Sequence, residues 1–278
     1  MNKKRILGIL MIGILLLSNT AFSEDTDFSY GIILTEYEGD RSDLTIPSEI
    51  DGKTVIGVGK NYCNENSTIS KVTLPEGVTI IGDHAFALSG LTEIVFRGNE
   101  CMYIGSGAFS GTGLKHAELP RFVDAMGEGV FDECFELEEI VLPEYLQEIP
   151  AYTFRECGME TVRLPMTCIA IGEMAFYGCT ALKDVIWSEG LMKIGESAFE
   201  SCEALERMVL PEKLTIIEQY AFYDCENLSY CEIPESVNFI ADSAFEGCDQ
   251  LVLGVVRGSY AFEFAEKQGI DYLITRNP

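Results

Sequence analysis

The sequence has few positive charges and few histidines, and both shortages limit what the protein can do. Lys and Arg number 19 against 45 Asp and Glu, which gives a formal net charge of −26. A surface this acidic repels nucleic acid phosphates and anionic lipid headgroups, so we expect neither as a partner. With only two histidines, the chain has little material for acid–base catalysis.

Two further features are missing: a Cys-x-x-Cys pair and a second long hydrophobic run. Without the first, no zinc site is expected, and we predict neither a metal nor a cofactor. The apolar run at residues 6–17 falls short of the roughly 20 residues that a membrane-spanning helix needs. A retained membrane anchor is therefore the weaker interpretation of the N-terminus.

The N-terminus instead has the parts of a secretory signal peptide. Basic residues 3–5 precede the apolar run, and small residues stand at Ala21 and Ser23, where a signal peptidase reads the chain. We expect cleavage before Glu24, which removes three cations and no acids. The mature protein is then expected in the extracellular space, at the cell surface or in the periplasm, with no integral membrane segment.

A repeat of 22 or 23 residues occupies most of the remaining chain. Its unit reads L-x-x-I-x-L-P-x-x-L-x-x-I-G-x-x-A-F-x-x-C, and a degenerate first copy at Tyr62-Cys63 makes about nine. Periods of this length indicate a solenoid, in which each copy buries its apolar face against its neighbours. The marker phenylalanines are, in order, Phe86, Phe109, Phe131, Phe154, Phe176, Phe199, Phe222 and Phe245.

Each repeated letter has a structural reason. Ile140 and Leu142 alternate with outward residues, which is the period of a β-strand. Pro143 lacks an amide hydrogen and ends the strand, and the glycine of each Ile-Gly pair suits a bend. The segment at residues 196–200 predicts a single helical turn that places the Phe199 ring in the core. Successive strands are expected to pair in parallel about 4.8 Å apart.

The unit resembles the BspA-like leucine-rich repeat family of bacterial secreted and surface proteins, over residues from about 44 to 256. The resemblance implies a leucine-rich repeat solenoid of short parallel strands and single helical turns, capped at both ends. Residues 28–34 with 44–47 resemble the family's N-terminal cap, and residues 258–266 resemble its closing helix. We therefore divide the chain into a signal peptide (1–23), an N-terminal β cap (24–46), the solenoid (47–256) and a C-terminal cap of helix and short strand (257–278). We expect a monomer.

Ten cysteines would ordinarily suggest disulfides in a secreted chain, but their register predicts buried free thiols. Cys63, Cys101, Cys168 and Cys231 replace apolar core residues of the repeat. The other six lie three residues after the repeat phenylalanine, a position that Asn66, Ser89 and Thr112 hold in the first copies, which indicates a structural hydrogen-bonding column between turns. These six are Cys134, Cys157, Cys179, Cys202, Cys225 and Cys248.

The sequence predicts no catalytic residues. His84 belongs to a turn on the outer wall and His116 to a strand on the inner wall, so the two are not expected to meet. Acidic pairs such as Glu138 and Glu139 near Glu160 leave a carboxylate hydrolase as a minor alternative. The acidic cap segment at residues 36–43 is compatible with weak calcium binding, but a solvated loop explains it better.

The outward strand positions provide the candidate binding surface. They form two columns, and the second holds exposed valine and isoleucine, which either bind a partner or simply suit a strand. Arg and Tyr beside this apolar strip favour binding, because these residues often anchor interfaces. The residues predicted to bind protein are His116, Val141, Arg163, Ile186, Arg207, Val209 and Tyr230.

The resemblance implies recognition of an extracellular or cell-surface protein, from a host or a neighbouring cell, by an adhesin-like module. Fold alone does not fix function, so a structural component of the envelope or periplasm without a host ligand is the alternative. A non-enzymatic role is expected in both cases.

Overall fold

A computed structural model describes residues 9–10 and 31–276. Apart from residues 9–10, the predicted signal peptide lies outside the described residues. Within the described part of the chain, no helix combines the length and apolar character needed to cross a membrane.

The chain consists of many short strands and one helix. In the first half the strands are β1 (Ile9–Leu10), β2 (Ile32–Leu34), β3 (Asp43–Thr45), β4 (Glu49–Ile50), β5 (Lys53–Val58), β6 (Lys71–Leu74), β7 (Ile80–Ile81), β8 (Glu93–Phe96), β9 (Glu100–Ile104), β10 (His116–Glu118), β11 (Phe122–Met126) and β12 (Glu139–Val141). In the second half the elements are β13 (Glu148–Ile149), β14 (Thr161–Arg163), β15 (Ala170–Ile171), β16 (Asp184–Ile186), β17 (Lys193–Ile194), β18 (Arg207–Val209), β19 (Ile216–Ile217), β20 (Tyr230–Glu232), β21 (Phe239–Ile240), β22 (Val252–Val256), α1 (Tyr260–Gln268) and β23 (Asp271–Arg276).

Apart from β1 and β4, which pair antiparallel with β2 and β5, these strands build a parallel β-solenoid with three walls, which confirms the predicted fold. The first wall contains the strands that precede each Leu-Pro pair, grouped as β3-β6-β8, β10-β12, β14-β16 and β18-β20-β22-β23. The second wall contains the short strands that end one residue before the glycine position of the repeat, in the orders β2-β5-β7-β9-β11 and β13-β15-β17-β19-β21. The segments carrying the Ala-Phe pairs form the turn wall. The first wall is thus divided into groups, where continuous pairing had been expected.

The turn wall consists of consecutive tight turns where single helical turns were expected. The amides of Phe199 and Ser201 donate to carbonyls of the following repeat at 2.8 Å, whereas that of Cys202 donates back to Phe199 at 3.2 Å. Ser197 and Ser201 adopt left-handed backbone conformations, with φ of 52° and 59°. A helical turn would direct every amide along its own axis. Here alternate amides point to the next repeat, so the turns lock the repeats together.

The glycine of the Ile-Gly pair is explained by close approach between repeats. A β-carbon placed on Gly195 would lie 2.7 Å from the carbonyl oxygen of Ile171 and 2.8 Å from the carbonyl carbon of Gly172. A side chain at this position requires the neighbouring backbone to shift, and at Glu218 and Ala241, where one is present, the amide still donates to the preceding repeat at 3.1 and 3.0 Å. Gly195 donates its amide to Ile171 at 2.9 Å.

A column of stacked phenylalanine rings forms the centre of the core. From Phe86 to Phe245 the ring centroids of neighbouring repeats are 5.1–5.8 Å apart, with interplanar angles of 1–20°. Trp187 adds an edge-on contact to Phe199 at 5.8 Å. Stacks of this kind stabilise beyond the area that they bury, by about 0.5–1.5 kcal/mol per pair.

The six cysteines of the structural column lie beside the phenylalanine stack. Each thiol donates to the carbonyl of the phenylalanine one repeat earlier, for example Cys179 to Phe154 at 3.0 Å and Cys202 to Phe176 at 3.2 Å. Ser89, in the same column, reaches only the carbonyl of its own repeat, Phe86, at 2.7 Å. All ten cysteines of the chain are buried and free.

The C-terminal end of the stack is covered by α1 and β23. The side chain of Ser259 accepts from the amide of Phe262 at the start of α1, and Gly269 ends the helix with φ of 71°. Phe264 packs on Phe245, the last ring of the column, at 6.3 Å. β23 then pairs in parallel with β22, so both the core and the edge of the first wall have a neighbour here.

The phenylalanine column predicts position-dependent losses of stability. Phe199→Ala removes a fully buried ring stacked on both sides, so we expect it to lower the free energy of unfolding by roughly 3–5 kcal/mol. Phe245→Ala should cost less, because the terminal repeat can relax more easily. Urea unfolding measures both, and equal losses would contradict a stack stabilised by nearest neighbours.

The buried thiols predict slow alkylation in the folded protein. Burial raises the pKa of Cys134 to about 11 and that of Cys179 to about 12, so little reactive thiolate is present at pH 8. Cys248 should react first, since it is the most exposed of the ten cysteines at 8%. Unreduced, denatured protein should take up ten alkyl groups by intact mass. A deficit of two would reveal a disulfide.

Candidate functional site on the first wall

The outward side chains of the first wall lie in two columns, as their alternation in each strand requires. Direct register partners include His116 with Glu139 and Thr161 with Asp184 in one column. Arg163 pairs with Ile186 in the other. The three-residue strands β14 and β18 bury their central residues, Val162 and Met208, and leave their flanking residues exposed; the central residue of β12, Ile140, is half-buried.

Arg207 and Tyr230 form the best-defined contact on this surface. They are register partners on β18 and β20, and the Arg207 guanidinium lies 4.3 Å from the centroid of the Tyr230 ring. The Tyr230 hydroxyl donates to Glu232 at 3.1 Å. Burial, and then this hydrogen bond, raise the pKa of Tyr230. The tyrosine is thereby fixed against the wall with the cation over its face.

An apolar side chain adjoins this contact: Val209, on the same strand as Arg207, is 61% exposed. Val141, which is 48% exposed, lies farther along the wall on β12. Ile186 is half-buried and Arg163 exposed. Arg163 and Ile186 are thus register partners on β14 and β16, and Arg207, Val209 and Tyr230 lie on β18 and β20, in the next group of the first wall.

The remaining predicted residue, His116, lies at the far end of this surface. Its Nδ1 is 3.3 Å from Glu139 Oε2, and both side chains are exposed. Five strand intervals separate β10 from β20, about 24 Å at the usual strand spacing. His116 and Tyr230 thus lie too far apart to contact one small ligand, whereas a protein surface would span both.

The other polar residues considered from sequence do not assemble into a chemical site. His84 lies on the turn wall with φ of 53°, on a different wall from His116. Glu160 pairs with Lys183 at 2.9 Å with both side chains exposed, and Glu138 is exposed as well. Among the described residues, no group of three or more His, Cys, Asp or Glu has the arrangement to hold a metal ion.

A break in the second wall is a feature that the sequence analysis missed. The amides of Gly127 and Gly172 donate to the preceding repeat at 2.8 Å, at Ile104 and Ile149 respectively. The corresponding residue of the intervening repeat is Pro150, which has no amide hydrogen. Over the described residues β11 and β13 do not pair. The signal was readable in the sequence, where Ile149-Pro150 replaces Ile-Gly.

An open cleft of about 950 Å³ lies at this break. Backbone and side chains of β11 line one side, and residues 145–151 line the other. Its acidic lining residues are Asp124, Glu128, Glu148 and Glu173.

Side-chain contacts also link the two repeats on either side of the break. On the turn wall, Arg155 makes two parallel hydrogen bonds to Asp132, at 2.7 and 2.9 Å. Beside the cleft, the Phe122 and Tyr145 rings stack at 5.6 Å. Arg121 pairs with the carboxylate next to Tyr145, that of Glu144, at 2.8 Å.

The chain is similar to known proteins through its repeat. The profile of the BspA type leucine rich repeat region matches six copies, over residues 58–169 and 147–253. No curated protein sequence matches the chain.

Similar solved structures come from several bacteria. A leucine rich cell surface protein from Faecalibacterium prausnitzii A2-165 is 21% identical, with 88% of this chain and 97% of that one covered and a TM-score of 0.49. The T. pallidum leucine rich repeat protein is 25% identical, with 87% and 90% covered and a TM-score of 0.35. The pneumococcal vaccine antigen PcpA is 19% identical, with 83% and 78% covered and a TM-score of 0.47.

Proposed function

Because this chain belongs to the BspA-type leucine-rich repeat family, we propose that it is an adhesin-like module that binds an extracellular or cell-surface protein. The binding surface is the first wall, centred on Arg163, Ile186, Arg207, Val209 and Tyr230. The protein acts outside the cytoplasm, as a monomer and without catalysis.

The observation that carries the proposal is the Arg207–Tyr230 stack beside exposed Val209. Tyrosine and arginine are enriched among the residues that dominate interface energies, particularly next to apolar contacts. The hydrogen bond to Glu232 and the lateral contact with Arg207 hold the ring in place before a partner arrives. A preorganised aromatic loses little conformational entropy on binding.

The positions of two arginines also support the first wall as the binding surface. Within residues 31–276, neither Arg163 nor Arg207 forms an ion pair with a carboxylate. In a chain with a net charge of −26, these two cations place positive charge on the outward side of the first wall. Charge of this kind orients an acidic patch on a partner as it approaches.

Capture experiments separate this function from a structural role in the envelope. The immobilised protein is exposed to a panel of extracellular-matrix proteins and, separately, to the envelope fraction of its own cells. Saturable binding to a matrix protein is the expected result. Capture of envelope components alone would support the structural alternative.

A double substitution locates the binding surface. Arg207→Glu with Tyr230→Ala should weaken binding to the captured protein by roughly 2 kcal/mol or more, about 30-fold in Kd. The thermal midpoint should change little, because Arg207 is exposed and Tyr230 lies outside the core. Titration calorimetry measures the affinity.

The matched control is Lys213→Glu with Tyr220→Ala, which repeats the same kind of changes at exposed positions away from the first wall. It should bind like the unaltered protein. An effect of the control equal to that of the first-wall pair would place the interface elsewhere.

A further inference from the structure

The break in the second wall leaves one strand edge without a neighbour. In the first half of this wall, Met102 donates to Thr79 and Gly105 to Ile81, both at 2.8 Å. The equivalent acceptors on β11 are the carbonyls of Asp124 and Met126. Over the described residues no backbone hydrogen bond joins them to β13, and they border the cleft. An edge of this kind can pair with an added extended peptide.

The acidic residues around this edge favour a positively charged peptide. Asp124 projects from β11 and Glu148 from the facing strand, and both are exposed. Glu128 and Glu173 line the end of the cleft toward the turn wall. Arginine and lysine are absent from the lining, so an incoming carboxylate would be repelled and an incoming cation attracted.

An exposed aromatic pair at the other end of the cleft strengthens this selection. Tyr145 is 57% exposed and Phe122 is 40% exposed, although they stack on each other. The Phe122 ring already has the Arg121 guanidinium at 5.5 Å from its centroid. The exposed Tyr145 ring, which lines the cleft, suits a second cation, since aromatic faces attract guanidinium and ammonium groups.

We infer that this cleft is a second binding site, which takes an extended peptide carrying Arg or Lys. The peptide backbone pairs in parallel with β11 by donating to the carbonyls of Asp124 and Met126. Its basic side chains meet the acidic lining and the Phe122–Tyr145 pair. The site shares no residue with the first-wall surface, so the two can be tested independently.

One substitution closes the edge without changing any charge. Pro150→Ala restores an amide, and Ala241 shows that alanine serves at this position of the repeat, donating to Ile217 at 3.0 Å. We expect the restored amide to donate to the carbonyl of Met126, to be protected from hydrogen exchange and to join β13 to β11. The thermal midpoint should stay the same or rise.

Peptide binding is measured by fluorescence anisotropy, with protein produced by expressing the full-length sequence. The probe is a labelled peptide of alternating arginine and threonine. Pro150→Ala should weaken its binding by about tenfold or more, since backbone and charge-assisted hydrogen bonds are lost together. A peptide with the same charges but N-methylated alternate amides should bind as weakly to the unaltered protein.

Charge variants keep the inference falsifiable even if Pro150→Ala fails to fold. Asp124→Asn with Glu148→Gln should also weaken binding by about tenfold. Glu203→Gln with Glu226→Gln removes two exposed charges away from the cleft and should have little effect. Equal weakening by both pairs would mean attraction to the general acidic surface and would overturn the site. So would unchanged binding to a folded Pro150→Ala protein, or tight binding of the N-methylated peptide.

Discussion

Each turn of this solenoid depends on the next turn to accept hydrogen bonds from its backbone amides and to cover its aromatic ring. On the turn wall, alternate amides such as that of Phe199 have their acceptor in the next repeat, and the Phe199 ring is covered by rings on both sides. An unpaired amide or a bare aromatic face would be costly in the core. The repeat length, the Ile-Gly pair and the cap that places Phe264 over Phe245 all follow from this requirement for a neighbour.

At Pro150 the second wall lacks the backbone pairing between neighbouring repeats that the solenoid otherwise requires there. The second wall loses its ladder there, yet Phe131 and Phe154 still stack at 5.8 Å and Gly129 still donates to Ala151 at 2.9 Å. The paired hydrogen bonds of Arg155 to Asp132 join the same two repeats from the turn wall. The turn wall, the β10–β12 pair of the first wall and a few side chains therefore maintain the stack while the second wall opens, which allows a cleft in a wall that is otherwise continuous over the described residues.

The repeat register predicted the walls, the inward cysteines and the outward columns, because side-chain direction in a strand follows directly from the period of two. It did not predict the conformation of the turn wall. In residues 196–200 the left-handed position is occupied by Ser197 and not by a glycine that would mark it, so the local sequence is compatible with a helical turn. Hydrogen bonding to the next repeat decides between the two. The cleft was missed for the opposite reason, since a single departure, Pro150, matters more than the consensus around it.

The distribution of cations connects stability to the proposed binding surface. Lys71 pairs with Glu93, Arg121 with Glu144 and Lys183 with Glu160, in each case between adjacent repeats. Stacking acidic repeats about 4.8 Å apart brings like charges together, and these cations reduce that repulsion, although each exposed pair contributes only about 0–1 kcal/mol. Arg163 and Arg207 do not take part in this pattern within the described residues. Arg207 instead lies over the Tyr230 ring, on the wall that also exposes Val209, so its charge is held beside an apolar side chain at the surface that we propose for recognition.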